Sequence, residues 1–309
     1  MAAQPAPGSD DALEFTGERF TPECVREIVY EHWHRYAWAR GLVRDKDVLD
    51  CACGEGYGSH LLADAAKSVV GVDVDPKAVA HARRRYSADH LSFQQADALD
   101  LPFDENRFDV VVSFETLEHL AEHDDLLAGF RRVLKPDGVL LLSSPDKRTY
   151  SDLTGYDNEF HVRELYRDEL EALLGRHFPN YRLSGQKLMF HSLVWALDDD
   201  APTGAEHLTA DDDRGVSRDP RPHVEPLYFL AMAAGDGVDL PAPPALSLFT
   251  DTAESVYAHY NDEVARHIRA GELLAERERE IERLRERLAD LERGADSPWT
   301  RLRRWLTGR

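Results

Sequence analysis

Val48-Leu49-Asp50-Cys51-Ala52-Cys53-Gly54-Glu55-Gly56-Tyr57-Gly58 is the stretch whose reading decides the fold. A short apolar run ends on Asp50 and breaks into a glycine-rich segment, which reads as a buried strand turning into a helix. Glycine there lets backbone come close to a ligand at the helix N-terminus. The next apolar run, Ser68-Val-Val-Gly-Val-Asp73, ends on a second carboxylate 19 residues past Gly54. That placement suits a ribose diol. Ser59 stands where the Gly-x-Gly-x-x-Gly fingerprint wants its third glycine. The two features imply an adenosine-containing ligand without saying which one.

Outward from this stretch, strands and helices alternate. The pattern predicts strands at 48–51, 68–73, 91–95, 108–113, 139–143, 182–190 and 227–233. It predicts helices at 57–66, 76–86, 124–134 and 164–174, with a turn at Lys135-Pro-Asp-Gly138. Pro76 suits a first helical turn. Apolar runs separated by helices imply a parallel sheet covered on both faces. Such sheets bind ligands at the carboxyl ends of their strands. Before the sheet, Val25, Ile28, Val29, Trp33, Tyr36 and Ala37 recur at helical spacing and predict two short helices within 14–43.

The chain of 309 residues has 42% hydrophobic and 31% charged residues, which fits a globular protein with a real core. It carries 37 Lys and Arg against 58 Asp and Glu, net −21, a sign that phosphate backbones repel, so a nucleic-acid partner is not expected. The charge is uneven. From Asp262 onward there are 12 Arg against 11 acids, net +1, and the first 261 residues hold 25 basic against 47 acidic groups, net −22. No apolar run is long enough to span a bilayer, and the amino terminus lacks the basic and apolar regions of a secretory signal. Cys24, Cys51 and Cys53 make no disulfide framework, so a reducing cytoplasm is the expected home.

Residues 1–13, small, Pro-rich and acidic, are expected to be disordered. An insert at about 198–225 holds Asp198-Asp199-Asp200 and Asp211-Asp212-Asp213. It reads as a solvated loop, or alternatively as a lid or divalent-cation site, although consecutive aspartates point in different directions. Residues 239–250 form a linker, and 251–309 a helical tail. In the tail, Leu274, Ile281, Leu284, Leu288 and Leu291 trace a short heptad seam broken once by Arg277. This supports a coiled coil, in a homodimer or a hetero-assembly, against a solvated helix. Trp299, Leu302, Trp305 and Leu306 then share one face of an Arg-rich helix within 297–309. That is the build of a peripheral membrane contact, of a partner-docking helix, or of a segment packed on its own domain.

Five segments settle the ligand. They are the Val48–Gly58 stretch, Val-Val-Gly-Val-Asp-Val-Asp-Pro, Gln-Gln-Ala-Asp97-Ala98-Leu-Asp-Leu-Pro, Phe-Asp-Val-Val-Val-Ser-Phe114-Glu115-Thr-Leu-Glu-His119, and Leu-Lys-Pro-Asp-Gly-Val-Leu-Leu-Leu-Ser. Together and in this order they resemble the class I S-adenosylmethionine-dependent methyltransferases over about 46–145. The likeness extends over about 14–235 to a bacterial subgroup linked to surface polysaccharides and glycosylated metabolites. That subgroup shows Phe-Thr-Gly-Glu-Arg-Phe (Phe15–Phe20), Glu-His-x-His-Arg-Tyr (Glu31–Tyr36) and Asn-x-Phe-His-Val-Arg-Glu-Leu (Asn158–Leu165). The resemblance implies an α/β, Rossmann-like domain over 14–238. Its seven-stranded sheet would run in order 3-2-1-4-5-7-6, with helices on both faces and strand seven antiparallel.

The resemblance also implies roles. Asp50, Ala52, Gly54 and Gly56 would lie against the methionine moiety of S-adenosylmethionine, Ala52 standing where Gly is commoner. Asp73 would hold the ribose hydroxyls, with Val74 beside the adenine. Asp97 would accept from the adenine amino group beside Ala98, and Phe114 and Glu115 would face the sulfonium.

Methyl transfer from a sulfonium is an in-line displacement, in which positioning supplies much of the rate. A hydroxyl acceptor also needs a base. His119 is the first candidate, His161 the second, and His34 and Tyr36 the third. An amine acceptor would need only a neutral lone pair. His119-Leu-Ala-Glu122-His123 spells an inverted zinc-protease pattern, but it directly follows strand four of a methyltransferase pattern, and no metal is expected. Ser-Phe-Glu-Thr after strand four is not the Asn/Asp-Pro-Pro-Tyr signature that goes with nucleic-acid or glutamine amines. The reading is a methyltransferase acting on a sugar hydroxyl of a glycan precursor or glycosylated metabolite. The alternatives are an amine or quinone-like small-molecule acceptor, or a silent scaffold recruiting partners through its tail.

Overall fold

The computed structural model describes residues 20–21, 27–195, 197, 207–210, 215–219, 222, 224–295 and 298–308. The amino terminus expected to be disordered, Phe15–Arg19, Cys24 and both aspartate runs of the insert lie outside the described residues. The chain divides into two compact units, 1–250 and 251–309.

The first unit runs α1 (Glu27–Arg40), β1 (Asp47–Cys51), α2 (Tyr57–Ala63), β2 (Ser68–Asp73), α3 (Pro76–Arg85), β3 (Leu91–Gln95), β4 (Phe108–Phe114), α4 (His123–Val133), β5 (Leu134–Pro145), α5 (Arg167–His177), β6 (Asn180–Gln186), β7 (His207–Ala210), β8 (Val216–Asp219) and β9 (Tyr228–Ala234). A single 3-10 turn, Leu117–His119, follows β4. Seven strands form one sheet in order β3-β2-β1-β4-β5-β9-β6. β9 is antiparallel to both β5 and β6, and the pairs from β3 to β5 are parallel. This is the expected methyltransferase sheet, with β9 as its seventh strand.

Period-two alternation splits the sheet's apolar side chains cleanly between two cores. Leu49, Val111, Leu140, Leu142 and Ala231 pack with Leu126, Leu127 and Phe130 of α4 and Leu170, Leu173 and Leu174 of α5. Their neighbours Val48, Val110, Val112, Leu141 and Met232 point the other way, against Tyr36 and Ala39 of α1 and Tyr57 and Leu62 of α2. Burial of each such side chain stabilises the fold by about 1.5–3 kcal/mol. Local signals agree. The Asp75 carboxylate caps α3 by accepting from Lys77 N at 2.8 Å, Pro76 follows at the first position, and Arg83–Arg85 close the last turn against the helix dipole.

Some expectations need correcting. Lys135–Gly138 is not a turn ahead of a short strand. Phe108 pairs with Leu134 and Val110 with Val139, so these residues bulge within one long β5. α5 starts at Arg167, not Glu164, because the Glu169 side chain accepts from Tyr166 N at 3.0 Å and fixes the start there. Of the two short helices expected within 14–43, the described residues hold α1, while residues 14–19 and 22–26 lie outside them. Within the insert, β7 and β8 pair as an antiparallel hairpin, with Leu208 opposite Arg218. Residues 239–250 do not read as a free linker either. Ser247 Oγ lies 2.9 Å from His34 Nε2, and Phe249 packs on Tyr30 and His34.

The second unit holds α6 (Ser255–Ala295) and α7 (Pro298–Thr307). The seam residues of α6 and the apolar face of α7 are exposed. No described helix is long and apolar enough to cross a membrane.

Candidate active site

The site begins where β1 ends. The chain leaves Cys51 through Ala52 (φ +61°), Gly54 (φ +55°) and Gly56 (φ +96°), all in left-handed backbone. Such turns are natural for glycine and strained for alanine. A Cβ on Gly56 would stand 2.7 Å from the Ala82 Cβ and 3.0 Å from the Phe93 ring, so only glycine lets the loop lie on α3 and β3.

Three carboxylates brace this loop from different sides. Asp50 is 0% exposed. Its Oδ1 accepts from Tyr36 OH at 3.1 Å and its Oδ2 from Ser59 Oγ at 2.6 Å. Burial pushes the Asp50 carboxyl up to about 7, against the pull of those two donors, with the Asp73 charge adding to the rise. Glu55, also buried, binds His81 at 2.7 Å, Tyr86 OH at 2.8 Å and Arg85 at 3.2 Å, tying the loop to α3. Asp73 closes β2, where Oδ2 accepts from Gly54 N at 2.8 Å and Oδ1 from Asp75 N at 2.9 Å. A carboxylate has about four lone-pair sites, so each Asp73 oxygen keeps one for a ligand. Beside it the Val74 side chain is 65% exposed. The β2–β3 register sets Asp73 opposite Gln95, which brings Asp97 and Ala98 to the same carboxyl edge. Asp97 Oδ1 accepts from Leu99 N at 2.9 Å.

β4 delivers the next pair. The Phe114 ring is buried edge-on against Tyr36, 5.1 Å between centroids. Glu115 sits at φ +52°. Its N–H donates to Ser143 Oγ at 3.1 Å, and that hydroxyl donates back to Glu115 Oε1 at 2.6 Å. Arg35 Nη1 lies 3.5 Å from the same carboxylate oxygen. The Arg35 guanidinium is buried, stacked 4.3 Å over the Tyr228 ring, with Nε donating to Gln186 Oε1 at 2.6 Å.

A second cluster gathers beyond β4. The Glu118 carbonyl accepts from Val162 N (2.8 Å) and Arg163 N (3.0 Å), pinning the Asn158–Leu165 segment to the 3-10 turn. His119 Nδ1 lies 3.1 Å from the Phe160 carbonyl oxygen. His161 Nδ1 lies 2.6 Å from Glu164 Oε1, and Ser151 Oγ donates to Glu164 Oε2 at 2.6 Å. The two imidazole centroids are 5.1 Å apart, and Tyr150 stacks on His161. His119 and His161 are thus neighbours. His34 lies elsewhere, on Ser247 and Phe249, and Tyr36 OH is committed to Asp50. The zinc-protease pattern fails on geometry, since His119 ends the 3-10 turn while His123 begins α4.

The sequence profile described as a methyltransferase domain matches residues 49–142. The chain is 37% identical over 220 residues to a "Probable S-adenosylmethionine-dependent methyltransferase" of Mycobacterium tuberculosis, covering 69% of this chain and 77% of that one. The chain belongs to the S-adenosylmethionine-dependent methyltransferase family. It is also 40% identical over 168 residues to a protein of the same description in Mycolicibacterium smegmatis, covering 53% of this chain and just under two thirds (64%) of the relative. Among solved structures it is similar to the YcgJ protein from Bacillus subtilis, at 19% identity and TM-score 0.48, over 67% of this chain and 100% of that one.

The cofactor of this methyltransferase is S-adenosylmethionine, and the residues at the strand ends fit it. Two open lone pairs on Asp73 match a diol, and the exposed Val74 offers apolar cover for a purine face. The braces were missed from sequence. Glu55, Glu118, Glu164, Ser143 and Arg35 look like ordinary polar residues along the chain. Each lies inside a quoted motif, Glu55 between two glycines, Arg35 in Glu31–Tyr36, Glu118 before His119, Ser143 at the end of the last segment and Glu164 in Asn158–Leu165, but nothing in those motifs assigned them a bracing role.

Proposed function

We propose that this methyltransferase transfers the methyl group of S-adenosylmethionine to a sugar hydroxyl of a glycan precursor or glycosylated metabolite. The observation that carries the reading is the His161–Glu164 contact, with His119 beside it, near the carboxyl end of β4. An imidazole oriented by a carboxylate through Nδ1 presents Nε2 as a proton acceptor. An amine acceptor that arrives with a neutral lone pair would not need it. In the step, an acceptor oxygen lone pair attacks the methyl carbon along the S–CH3 axis. The O–CH3 bond forms, the S–CH3 bond breaks with its electron pair left on sulfur, and the hydroxyl proton is taken up at the histidine pair. Asp73 and Val74 would hold the ribose and cover the adenine, with Asp97 and Ala98 at the adenine amino group. Ala52, Gly54 and Gly56 would line the methionine moiety, and Asp50 would support them from beneath. Glu115 and Phe114 would border the sulfonium.

The test is release of S-adenosylhomocysteine with a panel of glycosides and lipid-linked sugars. His161→Ala is expected to lower kcat by roughly 10²–10⁴-fold with cofactor affinity unchanged. Turnover of amines alone, or an unaltered kcat in both His119→Ala and His161→Ala, would sink the hydroxyl reading.

The tail fits the same setting. An exposed Trp/Leu face with Arg301, Arg303 and Arg304 suits an anionic membrane surface, and the α6 seam suits pairing with a second helix. We therefore place the enzyme at the cytoplasmic face of the membrane, acting on a small-molecule or glycan acceptor and not on nucleic acid.

A further inference from the structure

One ligand atom each from Glu118, His119 and His161 lies within 4.8 Å of the other two. We propose that these three residues hold a divalent cation with open coordination positions. Resting on the hydroxyl reading above, we assign those positions to a vicinal diol of the acceptor. No metal was expected from the sequence, where His119 and His161 stand 42 residues apart and no ligand spacing connects them.

The geometry favours the cation in several ways. The Glu118 Oε1–His119 Nε2 separation is 4.0 Å. That is long for a hydrogen bond and close to the span of two bonds of about 2.1 Å to one ion. Ligand atoms around a single ion stand roughly 3–4 Å apart, so the set needs to close by only about 1 Å. Both histidines also carry the outer partners typical of metal ligands. Nδ1 of His119 is held by the Phe160 carbonyl and Nδ1 of His161 by the Glu164 carboxylate, which leaves Nε2 of each ring to serve as the ligand atom. Glu118 is 1% exposed, and its carbonyl pins the strand of chain that carries His161, so the three residues arrive preassembled.

The donor set names the class of ion. Two imidazoles and one carboxylate suit Mn²⁺, Fe²⁺, Co²⁺ or Zn²⁺ over Ca²⁺, which takes all-oxygen sets. Three protein ligands leave positions for the acceptor. A bound hydroxyl becomes more acidic on a cation. With both Nε2 lone pairs on the ion, the cation takes over from the histidine pair the task of freeing the hydroxyl proton, which leaves to solvent before the oxygen attacks the methyl group. Two adjacent open positions select two adjacent hydroxyls, a feature of sugars that simple alcohols and amines lack.

The full-length chain, stripped with a chelator, is titrated with Mn²⁺ by electron paramagnetic resonance and with Zn²⁺ by calorimetry. One ion per chain is expected. His119→Ala, His161→Ala and His161→Gln should each weaken it at least about 10-fold, and Glu164→Gln by roughly 10–100-fold. S-adenosylmethionine binding, measured alongside, should be unchanged in each variant that has kept its fold. Absence of saturable binding, or binding unaltered in His161→Ala, overturns the proposal. Full-rate hydroxyl methylation by the stripped enzyme also overturns it, while leaving the hydroxyl reading intact. One bound ion with only amines methylated does the reverse, removing the diol and keeping the metal site.

Discussion

Asp50 is a carboxyl group sealed from water at the start of the glycine loop that follows β1, and its titration is a handle on the whole fold. Unfolded, it titrates near 3.8; folded, near 7. Between those values the native chain binds a proton that the unfolded chain does not, so stability falls as pH rises through this window. The loss approaches about 4 kcal/mol. Urea unfolding of the cofactor-free chain from pH 5 to 8 should show the decline, and Asp50→Asn should flatten it. A slope equal in both proteins would mean that Asp50 is charged throughout. Ala52 offers a second test. Its left-handed backbone costs about 1–2 kcal/mol, and glycine would relieve it while adding about 0.5–1 kcal/mol of unfolded-chain entropy. Ala52→Gly should therefore raise stability by up to about 1 kcal/mol in thermal melts. Gly56→Ala should lower both stability and cofactor affinity, since its Cβ meets Ala82 and Phe93. The placement of Asp73 and Asp97 at one carboxyl edge was legible in the sequence because each ends or follows a strand within a recognisable order of motifs. Glu118 and Glu164 were not, because their roles exist only once the Glu118 carbonyl captures Val162 and Arg163.

At the scale of elements, α1 and α2 meet through a contact with no slack. A Cβ on Gly58 would fall 2.1 Å from the Tyr36 ring, well inside any real contact. Gly58→Ala must push α1 away from α2 and break the Tyr36–Asp50 hydrogen bond. A loss of about 1–3 kcal/mol is expected from overpacking, read as a lower urea midpoint together with weaker cofactor binding. Unchanged values would show that α1 moves freely. β2 and β3 match their sequence boundaries because apolar runs and turn residues coincide there. β5 and α5 do not. A bulge and a side-chain cap set their starts, and neither has a hydropathy signature. The hairpin of β7 and β8 escaped detection because four-residue strands carry too few alternations to register.

At the scale of the molecule, the net charge of −21 hides a basic, aromatic helix at the end of an acidic chain. Each Arg near an anionic surface contributes about 1 kcal/mol. Deleting 298–309 should therefore lower co-sedimentation with anionic vesicles by roughly 10-fold or more, and salt should weaken the intact chain's binding. Co-sedimentation that survives the deletion would remove the membrane-surface reading of α7. The sheet order, the two-sided core and the cofactor class were all legible from the sequence. His119 and His161 were also named from the sequence as candidate bases, but their adjacency was not, because it joins a turn after β4 to a loop after β5 that share no pattern.

The strand order has one more consequence, which concerns synthesis. Among the described residues β6 pairs in the sheet only with β9, and β9 lies between β5 and β6. Between Gln186 and Tyr228 the ribosome must add 41 residues. At about 5–20 residues per second that is an interval of roughly 2–8 seconds. Throughout it the five strands already made, β3 to β5 in sheet order, expose a β5 edge that lacks its strand partner, while β6 waits for its own. The nascent chain's vulnerable surface is therefore the seam that a single late strand closes, and a slow or stalled ribosome between residues 186 and 234 would expose it longest.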